Sequence, residues 1–392
     1  MQITKITAYA VKSDNAYAMS GAVRPGERLP GTDYRRFAPH RQLYSDRSEA
    51  ALVRVETDEG LVGWGEAQAP IGPEVVLTIV EKVLGPTLLG LDPLATTARA
   101  RDMYETLRVR GQVGGFQQDA IAALDTALWD LRGRSAGLSL ADLVGGRLRD
   151  ELPCYVTGLR EKTAEGRRDE AAEWARQGFG VKPCLGFGVR PDADEVLGLR
   201  EAMGDEAWLA VDGMWGYTLP EARSLGRVLA EAGVAFFESA LAPEDVLGHA
   251  ELTRILDVPV AVGEPLRTRH QFVPWLAARA MDVAQPDLMR NGVGETLAIA
   301  TLASAHHLPV ALHTGVVTAV GMAASWQVAS ALPNFLVQEF QPVMLQTFGH
   351  LVEEGLTVAD GVVQVPTGTG IGVTVDEGRV RAMSDTVVVI GL

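Results

Sequence analysis

Trp208-Leu209-Ala210-Val211-Asp212 is the first of six apolar runs that end on residues able to do chemistry. Ala235-Phe236-Phe237-Glu238, Pro259-Val260-Ala261-Val262-Gly263-Glu264, Met281-Asp282-Val283-Ala284-Gln285-Pro286-Asp287 and Pro309-Val310-Ala311-Leu312-His313 follow it. Cys154–Thr157 and Val181–Leu185 precede the series, and Phe335–Glu339 completes it. Helical segments of about a dozen residues separate the runs, and the runs are nearly continuous in hydrophobicity, as strands covered on both faces are. Eight such strands alternating with helices predict an α/β fold of the (β/α)8 barrel type.

Outside this core the pattern changes. Met1 to about Val11 reads as a strand, and Ser13 to Arg47 as a long Gly/Pro/Arg-rich stretch with the length of a functional lid. Glu49–Thr57, the turn at Asp58-Glu59-Gly60 and Leu61–Glu66 form a hairpin pattern. From Glu74 to about Leu143 the period is helical, with Ala120, Ile121, Leu124, Leu128 and Leu131 on one face. The expected organisation is an α+β capping domain over 1–150 with its lid at 13–47, a barrel over 151–345, and a segment over 346–392 that returns to the cap.

Composition narrows the function. The 392 residues carry 35 Lys+Arg against 50 Asp+Glu, a formal charge of −15. With no dense basic stretch, such a chain repels a phosphate backbone, so no nucleic-acid partner is expected. No window of 18 uninterrupted apolar residues suggests a membrane span. Two cysteines, Cys154 and Cys184, make no disulfide framework, and the strand-like start lacks the apolar core of a secretion signal. A cytoplasmic protein acting on a small molecule is expected.

The strand ends carry the chemistry. Asp212, Glu238, Glu264, Asp287, His313 and Glu339 are separated by 26, 26, 23, 26 and 26 residues. One βα unit per step places all six around the C-terminal mouth of the barrel, where barrel enzymes build their sites. A single carboxylate there is commonly a helix N-cap; six in phase with the strand ends are better explained by a site. Asp212, Glu238 and Glu264 offer only hard oxygen ligands, which suits Mg²⁺ better than zinc. Asp287 and His313, on neighbouring strands, can form a carboxylate-oriented imidazole base. Only five of the basic residues are lysines, and Lys182 alone sits inside a barrel strand, as a cation facing the metal and a substrate carboxylate. Arg24, Arg28, Arg35, Arg36 and Arg41 crowd the lid as an anionic substrate would require, and Arg267 follows the fifth strand. His306-His307 ends a helix away from the mouth and reads as surface.

These residues carry a resemblance. Gly63-Trp64-Gly65-Glu66, Ala127-Leu128-Trp129-Asp130-Leu131, Leu143-Val144-Gly145-Gly146, the three carboxylates in Val211-Asp212, Phe237-Glu238 and Gly263-Glu264-Pro265, Gln285-Pro286-Asp287 with His313, and Gly368-Thr369-Gly370-Ile371-Gly372 together resemble the enolase superfamily, within it the mandelate racemase subgroup. The resemblance implies a modified, (β/α)7β-like barrel, a homo-oligomer, and Mg²⁺-assisted removal of the proton alpha to a carboxylate, giving an enediolate intermediate. It assigns His313 as base, Asp287 as its orienting partner, Lys182 to the substrate carboxylate, and Glu339 to a carboxylate oxygen or hydroxyl. The chain departs from the subgroup's pattern at Lys182-Pro183-Cys184, where the thiol stands in place of a second lysine, at Asp212-Gly213-Met214 and at Glu238-Ser239-Ala240. Losing one base while keeping the dyad favours elimination over racemisation, since racemisation needs a base on each face. An acid-sugar dehydratase is therefore the expected activity, with a racemase, epimerase or cycloisomerase, and a catalytically weakened binding protein, as alternatives.

Overall fold

The computed structural model describes residues 1–14, 21–22, 26–37 and 42–392. Its capping unit is a four-stranded antiparallel sheet in the order Ser384–Gly391, Ile3–Ser13, Ser48–Thr57, Val62–Ala67. The C-terminal strand thus closes on the first, Thr7 opposite Val389. Alternation along the strands sorts the side chains by face. Ile6, Ala8, Ala10, Ala51, Val53 and Val55 pack toward the long helix Phe116–Ala136. Tyr9, Val11, Leu52 and Trp64 join the cluster that continues into the barrel. The glycines of Gly63-Trp64-Gly65-Glu66 let that helix approach: a Cβ on Gly63 or Gly65 would sit 2.2 Å from the Ala127 carbonyl oxygen or 2.0 Å from that of Ala123.

The stretch read as a featureless lid contains structure. Tyr34–Arg36 pairs antiparallel with Leu43–Ser45. The hairpin is tied down by Arg35 on Asp46 at 2.6 Å and by Ser45 on the buried Glu49. Charged and hydroxyl anchors, invisible to a hydrophobicity pattern, make this element.

The barrel closes as a ring. Its first strand, Glu151–Thr157, pairs with Gly180–Lys182 on one side and with the eighth, Gln338–Phe340, on the other. Val211–Asp212, Phe237–Glu238, Val260–Val262 and Val283–Ala284 follow in parallel register. The seventh run is held by single bridges only, Val310 to Ala284 and Phe335, and His313 to Asp287. Pro183 shortens the second strand relative to the sequence reading, because it has no N–H for the ladder. The first strand starts earlier than expected, at Glu151, because Val362–Gln364 pairs along its outer end.

Inside the ring, Tyr155, Trp208, Ala210, Phe236, Ala261, Val283, Ala311 and Val337 form an apolar plug. The Lys182 ammonium lies 5.2 Å from the Tyr155 ring centroid. The strand-end charges Asp212, Glu238, Glu264 and His313 follow this layer along their strands. Buried polar contacts tie the cap to the barrel and to the C-terminal segment. Glu66 accepts from Thr318 N, Thr318 Oγ1 and Gly321 N at the start of the helix Ala319–Ala331. Asp130 accepts from Trp64 N and from Ile371 N. This explains the glycine-rich ending: Gly370 adopts φ +61°, and a Cβ there would meet Asp130 Oδ1 at 1.9 Å. Arg267 takes Asp119 in a two-pronged ion pair at 3.0 and 3.1 Å.

Candidate active site

Asp212 and Glu238 end their strands, and Glu264, Cys184 and His313 follow theirs closely, so the side chains meet above the plug. One cavity of about 250 Å³ is lined by Lys182, Cys184, Asp212, Glu264, His313 and Glu339. Glu238 lies directly beneath, 2.5 Å from the Lys182 ammonium, which also contacts Glu339 at 2.9 Å.

The dyad is formed. Asp287 Oδ2 accepts from His313 Nδ1 at 2.7 Å, while Asp287 Oδ1 accepts from Met289 N and caps the helix Leu288–Ala305. Asp287 is therefore both the helix cap and the imidazole's partner, one oxygen for each role. With Nδ1 committed, Nε2 is left toward the carboxylates, 3.8 Å from Glu264 Oε1. Burial disfavours the charged imidazole, but the charges of Glu264 and Glu339 and the Asp287 bond outweigh it and push its pKa up to about 9.

The negative charge of this site calls for a cation. Burial, and then the Glu238 charge, push the Asp212 carboxyl well up. Lys182 is held well above its usual value because Glu238 and Glu339 outweigh its burial. Glu264 and Glu339 stay below theirs despite burial, the first through His313 and Arg290, the second through Lys182 and His313. One oxygen of Glu238, Oε1, is buried with no hydrogen-bond partner, while Oε2 takes Lys182 and Gln285. An orphaned carboxylate oxygen beside two further carboxylates is the donor set of a hard divalent ion. The tightest grouping is not the expected trio: ligand atoms of Glu238, Glu264 and His313 lie within 4.8 Å of one another. Asp212 lines the same cavity but spends Oδ1 on Met214 N at 2.8 Å, closing its own strand-end turn.

The arrangement matches known proteins throughout its length. Residues 33–145 fit the mandelate racemase/muconate lactonizing enzyme N-terminal domain, and residues 166–379 the enolase C-terminal domain-like family. The chain belongs to the enolase superfamily. A D-galactarolactone cycloisomerase of Agrobacterium fabrum is 34% identical over 345 residues, covering 84% of this chain and 90% of that protein. A D-xylonate dehydratase of Haloferax volcanii is 31% identical, with 84% of each chain covered. The crystal structure of an L-talarate dehydratase from Polaromonas sp. JS666, complexed with Mg and L-glucarate, superposes with a TM-score of 0.82 at 26% identity, covering 100% of this chain and 99% of that one. This chain is thus an enzyme of the mandelate racemase subgroup, whose relatives are sugar-acid dehydratases and a cycloisomerase.

Several residues proposed for this enolase-superfamily site stand elsewhere. Arg267 is committed to Asp119 and to the Pro265 carbonyl, so it clasps the domains instead of facing the cavity. Arg35 is paired with Asp46, Arg36 is exposed, and neither lines the cavity. Arg28 is held by Asp33. Arg24 and Arg41 lie outside the described residues. Among the described lid residues, Gln42, Leu43, Tyr44, Ser45 and Arg47 reach the cavity instead, and Arg47 is paired with Asp385. Cys184 stands in the cavity wall, and burial with the Asp212 charge pushes its thiol well up. It holds no thiolate at neutral pH.

Sequence reasoning missed Arg290. It donates to Gln68 Oε1 at 2.5 Å and to Glu264 at 3.2 Å, and its Nε lies 3.9 Å from Asp287. It is the third residue after Asp287 on the same helix, a spacing that faces the site. Thr157 was also missed; it donates to Glu339 at 2.5 Å.

Proposed function

We propose that this protein is an Mg²⁺-dependent lyase that removes the proton alpha to the carboxylate of a sugar acid and eliminates water across the adjacent carbon. The observation that carries the reading is the 2.7 Å His313–Asp287 dyad, with its free nitrogen turned toward the carboxylate cluster. The orphaned Glu238 oxygen and the facing carboxylates fit the metal, which Asp212, Glu238 and Glu264 would hold. When bound, a divalent ion of this class supplies Lewis-acid polarisation of the substrate carboxylate. With that positive charge beside Glu264, the negative field that raises His313 would be offset, and the imidazole would be neutral and able to accept a proton near pH 7.

His313 Nε2 takes the Cα proton, and the electron pair of that bond delocalises into the carboxylate as an enediolate, which then forms the new C=C bond as the Cβ–O bond breaks. The imidazolium returns the proton to the departing oxygen, which leaves as water, and the enol rearranges to a 2-keto acid. Asp287 stabilises the imidazolium, and Arg290 holds Glu264 and Asp287 in position. Lys182 is assigned to the substrate carboxylate, and Glu339 to a carboxylate oxygen or hydroxyl.

Incubation with Mg²⁺ and a panel of mono- and diacid sugars tests the proposal by 2-keto acid release and by deuterium uptake at Cα. No exchange and no release across the panel refutes it. The 34% identity to a cycloisomerase supports a second reading, in which the same proton abstraction expels a Cβ oxygen that stays tethered to the substrate, so that no water is lost. A product of unchanged mass would select it.

A further inference from the structure

A second cavity, of about 330 Å³, lies where the cap meets the barrel and shares no lining residue with the active-site cavity. Its walls come from the cap helices Thr96–Arg108 and Phe116–Ala136 and from the barrel helices Thr268–Ala278 and Leu288–Ala305. Two polar side chains in these walls are buried without a hydrogen-bond partner. Asp125, 3% exposed, accepts from Gly294 N through Oδ2 at 3.1 Å and leaves Oδ1 without a donor. Thr268, equally buried, leaves its hydroxyl unbonded. Its backbone is held at φ +60°, which a β-branched residue almost never adopts, by an N–H bond to Asn291 Oδ1 at 2.7 Å. The helix Leu288–Ala305 breaks at Gly292, φ +75°, where a Cβ would lie 2.7 Å from Asp125 Oδ2. Asp125 therefore caps the part of the helix beyond the break. That task uses one oxygen and no charge, so the second oxygen is left for something else.

The surroundings define what would satisfy it. The neighbouring arginines are committed, Arg269 to Glu295 at 2.7 Å and Arg267 to Asp119 at 3.0 Å, and Arg101 is exposed to water that screens it. Burial and the Glu295 charge push the Asp125 carboxyl up to about 7, against the Gly294 and Val293 amides and the Trp129 indole beside it. Among the described residues, metal-ligating side chains group only at the active site, so a bare divalent ion has too few ligands here. Aromatic rings supply much of the remaining wall: Tyr104 stacks on His270, centroids 6.1 Å apart, and Trp129 stands next to the carboxylate. A spare carboxylate oxygen among aromatic rings suits a cation carried on a flat apolar body. The ammonium bonds the oxygen, while the rings pack on the body and attract the charge. We propose that this cavity is a second ligand site, for a small organic ammonium compound, with Asp125 Oδ1 as its anchor, the Thr268 hydroxyl as a further acceptor and Tyr104, His270 and Trp129 as its aromatic wall.

The probe is benzylamine, with benzyl alcohol and benzoate as its neutral and anionic counterparts. Each is titrated calorimetrically into the full chain with Mg²⁺ present at pH 8, where Asp125 is ionised. Benzylamine should fill one site with about millimolar affinity, about tenfold or more tighter than either counterpart. Asp125→Asn keeps the Gly294 cap through its amide oxygen and should erase that advantage. Ala100→Phe, one helical turn before Tyr104, leaves every buried polar group in place and should block binding by filling the cavity. Circular dichroism checks that both variants fold, and Ala100→Phe decides the matter should Asp125→Asn fail to. No saturable benzylamine binding, equal binding of the three probes, or affinity retained in either folded variant overturns the proposal. Retained affinity would place the amine elsewhere, including among the active-site carboxylates, which neither substitution touches.

Discussion

Replacing Asp287 by asparagine tests whether the dyad is chemistry or only a helix cap. The side chain now serves Met289 N at 2.8 Å through one oxygen and His313 Nδ1 at 2.7 Å through the other. In Asp287→Asn the amide oxygen keeps the cap, so the helix Leu288–Ala305 survives. The amide NH₂ then faces Nδ1 and drives the ring proton to Nε2, the atom that must accept the Cα proton. A unit charge about 4 Å from the imidazolium is worth about 4 kcal/mol at an effective dielectric of 20. Removing that charge from a step that creates the imidazolium lowers the rate about a thousandfold. The assay is kcat for 2-keto acid release, with Cα deuterium incorporation followed by NMR and folding checked by circular dichroism. His313→Asn should abolish both signals. A loss of less than about tenfold in Asp287→Asn, with exchange retained, would reduce Asp287 to a cap and refute the dyad as the base.

Glu238→Gln should weaken Mg²⁺ binding by titration calorimetry while the barrel stays folded; unchanged affinity would remove Glu238 from the ligand set. Cys184→Ser should cost no more than about tenfold in kcat, or about 1.4 kcal/mol, because the buried thiol is not ionised; abolished exchange would make the thiolate the base. Arg267→Ala should lower stability by about 3 kcal/mol by stranding the buried Asp119, with KM unchanged; a raised KM with unchanged unfolding would return Arg267 to substrate binding. In the metal-free protein His313 has its pKa raised to about 9. Its stabilisation is therefore complete below about pH 6.5 and is lost as pH rises through 9, about 3 kcal/mol in all. Urea midpoints with chelator at pH 6 and pH 9 should show this fall, and His313→Asn should flatten it.

The barrel was legible because its signal is redundant. Buried parallel strands are apolar on both faces, and the βα period repeats the chemistry-bearing strand ends at nearly constant spacing, so Asp212, Glu238, Glu264, Asp287, His313 and Glu339 all come out of position alone. What escaped depends on specific pairing. Arg267 looked like a substrate ligand because a sequence shows a charge without its partner, and Asp119 lies 148 residues away. The hairpin Tyr34–Arg36 with Leu43–Ser45 is built on Arg35–Asp46 and Ser45–Glu49 contacts that carry no periodicity. Trp215 enters the active-site cavity because of a left-handed backbone, which side-chain patterns do not encode.

The cap sits where two of its residues brace the barrel. Glu66 and Gln68 leave the same strand end, Val62–Ala67, and do different work on the barrel. Glu66 collects three donors at Thr318 and Gly321, fixing the helix that follows the seventh strand. Gln68 joins the helix that follows the sixth, its N–H on the Met289 carbonyl at 3.1 Å and its side chain on Arg290. The sixth and seventh strands carry Asp287 and His313. Arg290 passes the contact on to Glu264, so one strand end of the cap braces the base, its partner and a metal-ligand candidate. Gly315 makes this possible: a Cβ there would lie 1.6 Å from the Gln68 amide nitrogen. The cap is therefore not only a cover over a finished site. A barrel folded without it would have Arg290 free of Gln68 and the start of the Ala319–Ala331 helix without Glu66, held by its Thr318 cap alone, with the dyad's two strand ends no longer braced from above.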